Sequence, residues 1–443
     1  MSNLNLIPIG KLFDLEKGSL QSSKCTEGEY TFITAAEEWK TNNEYSHECE
    51  ALIFAAAASG SLGRTHYIND KFITSDLCFI LTPKDSKKYP INLKFYHFVF
   101  NSLKDEIVKN TKSGTSKESI NQSNLRNYEI PYFEIDKQNL WIDKLVNTKL
   151  IKEDLELELS TGQSLLKQLK QTILQEAIEG KLTAKWRAKN PDISTAKQLL
   201  QQIKTEKEKL VKDKKIKASK PLPPINEDEI PFDIPQNWEW CRTDDICFSI
   251  SSGSTPSKDA FIGDDGISYL KVYNIQNQKI DFHFKPQFIK QKINNTKLKR
   301  SILYPQDVVM NIVGPPLGKI AIIPNIYPQW NCNQAIVHFK LIEPLMHKYL
   351  YYFLRELSFL KYIHFKGVAG QDNISITQSR NILFPLPPIE EQKEIVATIE
   401  KLFTLCDELE GEINQNKTTV DNLMATVLKE AFETKENIHE YKA

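Results

Sequence analysis

Ile120-Asn-Gln-Ser-Asn-Leu-Arg-Asn-Tyr-Glu-Ile-Pro131 returns 254 residues later as Ile374-Ser-Ile-Thr-Gln-Ser-Arg-Asn-Ile-Leu-Phe-Pro385. The correspondence continues without a gap over residues 120–179 and 374–433, so that Ile135 and Gln138 come back as Ile389 and Gln392. Each copy then opens a long helical pattern. Self-similarity at a fixed offset marks a duplicated structural unit, and the chain reads as two similar halves in tandem.

The helical patterns carry an apolar seam. In the first copy Leu155, Leu159, Gly162, Leu166, Leu169 and Ile173 alternate spacings of four and three, with Gly180 placed to stop the helix. In the second, Ile395, Ile399, Leu402, Cys406, Leu409, Ile413, Asn416, Val420, Leu423 and Val427 keep the same rhythm. Asn416, at the position matching Gly162, is the polar exception and is expected to fix register in a buried seam. Helices with such stripes exposed are unstable, which predicts that the two pair with each other, antiparallel if the halves obey a pseudo-two-fold.

Outward from the repeat, residues 1–136 mix short β-type runs with Gly and Ser turns, as at Tyr30-Thr-Phe-Ile-Thr and Ala51-Leu-Ile-Phe-Ala. Residues 137–220 hold the first long helix, a second polar helix after Pro191 with Ser194 as N-cap, and a basic run into Pro221-Leu-Pro-Pro, an extended connector. Residues 221–388 form a second α+β globule with strands at Ile267-Ser-Tyr-Leu, Asp307-Val-Val-Met, Lys319-Ile-Ala-Ile-Ile and Ala335-Ile-Val-His-Phe, and 389–443 the second helical region. The expected fold is α+β: two globular domains separated by an antiparallel pair of long coiled-coil helices.

Composition bounds the function. Lys+Arg and Asp+Glu both total 57 in 443 residues, so a wholly basic nucleic-acid protein is excluded but local basic faces are not. The seven cysteines include no C-x-x-C pair and read as reduced thiols. No membrane-length apolar run and no basic, then apolar, leader opens the sequence, which predicts a soluble, cytoplasmic protein. The eight histidines never approach metal-ligand spacing, so no metal site is expected.

Leu386-Pro-Pro-Ile-Glu-Glu-Gln-Lys-Glu-Ile-Val396 and the helix after it resemble the conserved-region signature of type I restriction-modification specificity subunits. Gly180-Lys-Leu-Thr-Ala-Lys-Trp-Arg187, Pro221-Leu-Pro-Pro-Ile, Ile230-Pro-Phe-Asp-Ile-Pro-Gln-Asn-Trp238, Ser251-Ser-Gly-Ser-Thr-Pro-Ser257 and Tyr269-Leu-Lys-Val-Tyr-Asn-Ile275 also resemble segments of that family. The resemblance covers essentially the whole chain. It implies two target-recognition domains that bind a bipartite, gapped double-stranded DNA sequence. It further implies that the helices dock two methyltransferase subunits, which bind S-adenosylmethionine, and that restriction subunits using ATP and magnesium join them. By the same resemblance the chain has no active site and binds no cofactor itself. A second reading is a non-catalytic coiled-coil scaffold whose globules bind protein or carbohydrate.

Candidate DNA contacts follow. Gly314-Pro-Pro-Leu-Gly-Lys319 is one residue short of a phosphate-loop spacing and puts prolines where N–H donors are needed. It matches instead Gly60-Ser-Leu-Gly-Arg64, which makes Arg64 and Lys319 candidates for phosphate or guanine contacts. Ser254, Thr255 and Lys258 follow a glycine turn as Ser19, Ser22 and Lys24 do in the first half, a pattern suited to close approach of a phosphate backbone. Lys271, Tyr273 and Asn274 end an apolar run where a groove-facing set could lie, and Gln371 and Asn373 carry amides able to read adenine.

Overall fold

The computed structural model describes residues 5–58, 60–114, 118–218, 221–363 and 373–433. The chain divides into two compact units, one of residues 1–162 with 412–443 and one of residues 163–411. Helices Ile135–Ile178 and Ile389–Glu433 each contribute to both units. No helix among the described residues is long and apolar enough to cross a membrane.

In the first unit, strands β1 (Phe13–Lys17), β2 (Tyr30–Ile33), β3 (Lys40–Asn42), β4 (His47–Ala55), β5 (Thr65–Thr74) and β6 (Cys78–Pro83) form one sheet in the order β1-β6-β4-β5-β2-β3. Alternation along β4 buries both faces. Leu52 and Phe54 pack with Tyr96 and Phe100 of helix Leu93–Ser102, while Ile53 packs with Ile33, Phe72 and Ile80. Trp141, Leu145, Leu428 and Ala431 of the long helices complete the former cluster.

The second unit repeats part of this topology. Strands β7 (Cys247–Ser252), β8 (Val308–Asn311), β9 (Ile320–Ile322) and β10 (Ile336–Leu341) run β7-β10-β8-β9, antiparallel throughout, like β1-β6-β4-β5. The repeated sequence takes equivalent forms in both units. Helix Gln122–Asn127, capped by Asn121, corresponds to Ile376–Asn381, capped by Ser375, at the same 254-residue offset. Gln138 Nε2 donates to Phe133 O at 2.6 Å and Gln392 Nε2 to Pro387 O at 2.8 Å. Tyr96 Oη donates to Pro131 O and Tyr349 Oη to Pro385 O, at 3.2 and 2.9 Å. The duplication thus extends beyond the residues that match in sequence.

The long helices run antiparallel within each unit. Lys144 pairs with Glu430, and Ile413 Cδ1 lies 3.5 Å from where a Cβ on Gly162 would stand. In the second unit Lys170 bridges Asp407 and Glu410 at 2.8 Å. Leu166, Ile173, Ile399, Cys406 and Val420 are buried, and Leu155, Leu159, Leu402, Ile413, Leu423 and Val427 are half-buried. Leu169 and Leu409, expected in the seam, are exposed at 46% and 47%, and Asn416 is also exposed. A straight helix drifts by ~20° per heptad from a strict four-three repeat, which carries such positions out of the interface. Leu174, Ala177 and Phe403 are buried instead.

One further expectation is revised, and the connector is tethered as well as extended. The N-cap of helix Ala196–Lys212 is Thr195, which shares a capping box with Gln198, while Ser194 donates to Glu390 Oε2 at 2.9 Å. The Pro221-Leu-Pro-Pro stretch is not a free spacer, because buried Arg242 donates to the carbonyls of Pro223 and Pro224 and pairs with Glu229.

Three of the quoted motifs meet at one carboxylate. Glu391 is fully buried and accepts from Thr183 Oγ1 (2.8 Å), Trp238 Nε1 (2.9 Å), Asn237 Nδ2 (3.4 Å) and Arg187 Nη1. A buried charge is tolerated only when paired and hydrogen-bonded in this way. The position 254 residues earlier is Lys137, so the first half has no counterpart.

His338 on β10 is also fully buried, and neither ring nitrogen makes a well-formed hydrogen bond among the described residues. Burial, aided by the charge of Lys340, pulls its pKa down to about 3. The unfolded state, with an ordinary histidine pKa of about 6.5, takes up a proton that the folded state refuses. This contribution to stability is fully present above about pH 6.5 and declines as pH falls toward 3, by at most about 1.4 kcal/mol per pH unit. Chemical denaturation at pH 7 and pH 5 is expected to show the decline, and His338→Leu to flatten it. An equal slope in the variant would assign the effect elsewhere.

Candidate nucleic-acid interface

The hairpin between β4 and β5 and that between β8 and β9 are built alike. Ala55 N donates to Arg64 O at 2.8 Å, and Asn311 N to Lys319 O at 3.0 Å. Gly63 and Gly318 adopt φ of +80° and +85°, and a Cβ on either would stand 2.6 Å from Val108 Cγ2 or Leu357 Cδ2. Both the backbone and the space therefore require glycine before the cation. The start of each repeat is stitched to its hairpin, Ile120 N donating to Ala56 O and Ile374 N to Ile312 O.

The glycine turns after β1 and β7 also coincide. Ser19 N donates to Thr74 O and Ser254 N to Cys332 O, both at 3.1 Å. A Cβ on Gly18 or Gly253 would lie 2.1 Å from Ser75 O or Cys332 O, so only glycine allows these close approaches. In the first unit the pieces adjoin, since Asp76 N donates to Leu20 O and Ala56 N to Leu77 O. In the second, Gly253 N donates to Ile336 O and Ile312 N to Ala335 O.

The expected site residues fall unevenly on this frame. Ser19, Ser22, Lys24, Thr255 and Lys258 are exposed. Arg64 is half-buried and held by Ala35 O and Ser61 Oγ, each at 3.3 Å, with Glu37 at 3.7 Å. Lys319 is half-buried, and its ammonium has no ion-pair partner among the described residues. Ser254 O accepts from buried Tyr269 Oη at 2.9 Å, and burial raises that phenol to about 12, keeping it a donor. Lys271 lies over the rings of Phe261 and Tyr273.

Asn274 does not face a groove. It is fully buried, its Nδ2 donating to Phe284 O and Asp281 O while its Oδ1 accepts from Lys271 N. An amide that caps a turn looks in sequence like one that reads a base. Asn373 is half-buried with a buried Oδ1 that has no partner among the described residues, and Gln371 lies outside them. Three residues not singled out from sequence join the frame: Arg300, whose Nη2 donates to Ser254 Oγ at 3.2 Å, Gln334, whose Oε1 accepts from Thr255 Oγ1, and Asn333 beside it. The amide-rich run Asn331-Cys-Asn-Gln334 was their only signal. Among the described residues no three His, Cys, Asp or Glu side chains group as a metal site.

A profile described as the type I restriction modification DNA specificity domain matches residues 1–159 and 235–416. The chain is similar to the EcoEI specificity subunit of Escherichia coli, 31% identical over 271 residues that cover 59% of this chain and 44% of that relative. It is 32% identical to the EcoAI specificity subunit over 269 residues, again 44% of the relative, so these alignments span less than half the length of either relative. With the EcoDI specificity subunit it shares 22% identity over 439 residues, 96% of this chain and 87% of the relative. Two solved structures share its fold. One, from work on complex assembly and conformational transition of the type I R-M system, has 14% identity over 98% of both chains and a TM-score of 0.69. The HsdS subunit from Thermoanaerobacter tengcongensis has 15% identity over 98% and 97%, with a TM-score of 0.54.

Proposed function

We propose a sequence-reading role for this chain, which belongs to the type I restriction modification DNA specificity family. In this reading each unit binds one half of a bipartite, gapped duplex target. The long helices dock two methyltransferase subunits that bind S-adenosylmethionine, and restriction subunits using ATP and magnesium complete a cytoplasmic complex. The chain contributes no catalytic group of its own. The observation that carries the reading is one loop frame built twice, each with glycine-opened backbone, a serine and a hairpin cation. Short hydroxyls, exposed amides and cations are the groups that hold a phosphate backbone. Docking is supported by exposed apolar side chains on the long helices, including Leu150 and Leu157 in the first unit and Leu165 and Leu405 in the second. A protein- or carbohydrate-binding scaffold gives no reason for the shared serine and cation.

Expression of the chain with its methyltransferase subunit, followed by mapping of modified adenines, is expected to yield a gapped motif. Exchanging residues 1 to about 135 for another recognition domain should change one half of that motif and leave the other intact. Affinity of the complex for the duplex should fall steeply with salt, because phosphate binding releases counterions. A motif without a gap, or one altered in both halves by the exchange, would sink the two-unit reading.

A further inference from the structure

Within the frame that the two units share, one turn differs in its side chains. Residues 75–77 of the first, Ser-Asp-Leu, occupy the turn that residues 333–335 of the second, Asn-Gln-Ala, occupy between equivalent anchors. The register comes from the backbone: Gly18 N donates to Cys78 O and Gly253 N to Ile336 O, both at 3.0 Å, on the far side of turns that begin at Thr74 and Cys332. Leu20 stands where Thr255 stands, each touching the turn. Asp76 N donates to Leu20 O, and Thr255 Oγ1 donates to Gln334 Oε1.

Around the turn the side chains match: Gly18 with Gly253, Ser19 with Ser254, Gly63 with Gly318, and the cations Arg64 and Lys319. A sugar-phosphate backbone is the same whatever the sequence, whereas base edges differ between half-sites. Groups common to both units suit the constant part of the ligand, and groups that differ suit the variable part. We propose that residues 75–77 with Leu20, and 333–335 with Thr255, are the base-reading turns, and that the matched serines and cations hold phosphates. The proposal rests on the DNA-reading function stated above.

The chemistry of each turn is distinct. Asp76 only accepts, which suits the amino group of cytosine, and Leu77, exposed at 40%, offers an apolar contact to a thymine methyl. Gln334 is exposed and both donates and accepts, the pattern that adenine presents in the major groove. Arg300 brings a guanidinium fork beside Ser254. Asn333 Oδ1 is buried without a hydrogen-bond partner among the described residues.

The test uses the chain assembled with its methyltransferase subunits and short duplexes carrying the mapped motif, intact or with one half scrambled. Gln334→Ala is expected to lower the preference for the intact over the second-half-scrambled duplex about tenfold, leaving first-half discrimination unchanged. Leu77→Ala should do the reverse, with a smaller loss. Lys319→Ala should weaken intact and scrambled duplexes alike and reduce the salt slope by about one. Should Gln334→Ala lower the melting temperature, Gln334→Glu, close in volume, is read in its place and should shift base preference at the same position. Unchanged discrimination in the turn variants overturns the assignment. A wild-type complex that does not discriminate at all overturns the DNA-reading function, a result distinct from losses confined to one half-site.

Discussion

Glu391→Ala is expected to destabilise the second unit by about 3 to 5 kcal/mol, the range for breaking a buried ion pair from one side. The carboxylate is fully buried, and its removal leaves Trp238 Nε1 and Thr183 Oγ1 without acceptors in a dry site and Arg187 without its counter-charge. Arg187 also donates through Nη2 to Gly180 O at 2.8 Å, so the loss reaches the end of the first long helix. Denaturant titration of the full chain, followed by Trp fluorescence, reads the effect through Trp238. A shift below about 1 kcal/mol, the worth of an ordinary hydrogen bond, would mean that water replaces the carboxylate.

Gly180→Ala is the second large effect expected. Gly180 terminates helix Ile135–Ile178 at φ +72°, with Lys181 N donating to Glu176 O at 2.9 Å. A side chain there meets left-handed strain of about 1 to 2 kcal/mol. It also places its Cβ 2.5 Å from Pro235 Cγ and 3.1 Å from Trp238 Cζ2, an overpacking that costs about 1 to 3 kcal/mol more. The total, about 2 to 5 kcal/mol, should appear as a lowered denaturation midpoint with an unchanged slope. Stability equal to that of the unmodified chain would show that the Pro235 loop moves aside freely.

The parts of the molecule that were legible in sequence share a physical cause. Periodicity reports helices faithfully when they are long, and both 254-offset helices begin where the repeat places them. Glycine reports backbone that side chains rarely adopt or have no room for, which is why pairing Arg64 with Lys319, and Ser19 with Ser254, identified equivalent places in the two units. What escaped reading depends on contacts distant in sequence. Leu169 and Leu409 turn outward because helical drift accumulates over a whole helix. Asn274 could not be told from a surface amide until Asp281 and Phe284 were seen to hold it. Helix Leu93–Ser102 is rich in aromatic residues, which favour strands, and its Tyr96 and Phe100 are held in a helix by the sheet they pack on. Gln334 and Arg300 carry almost no local signal, because their places are set by contacts with Thr255 and Ser254, distant in sequence.

Thr183, Arg187, Trp238 and Glu391 bear on how such a chain can exchange parts with its relatives. A crossover that replaces everything before residue 180 leaves the four untouched, and of the buried carboxylates it has to match only Glu356 in the second unit, to which Gln171 donates. One that falls between residues 187 and 237, or between 238 and 391, joins half of this constellation to another lineage's half. Unless the donor carries the same four residues, the recombinant inherits an unpaired carboxylate or guanidinium. Inheritance of the region from residue 183 to residue 391 as a block therefore keeps the constellation whole, and the segment before residue 180 is the part most readily traded.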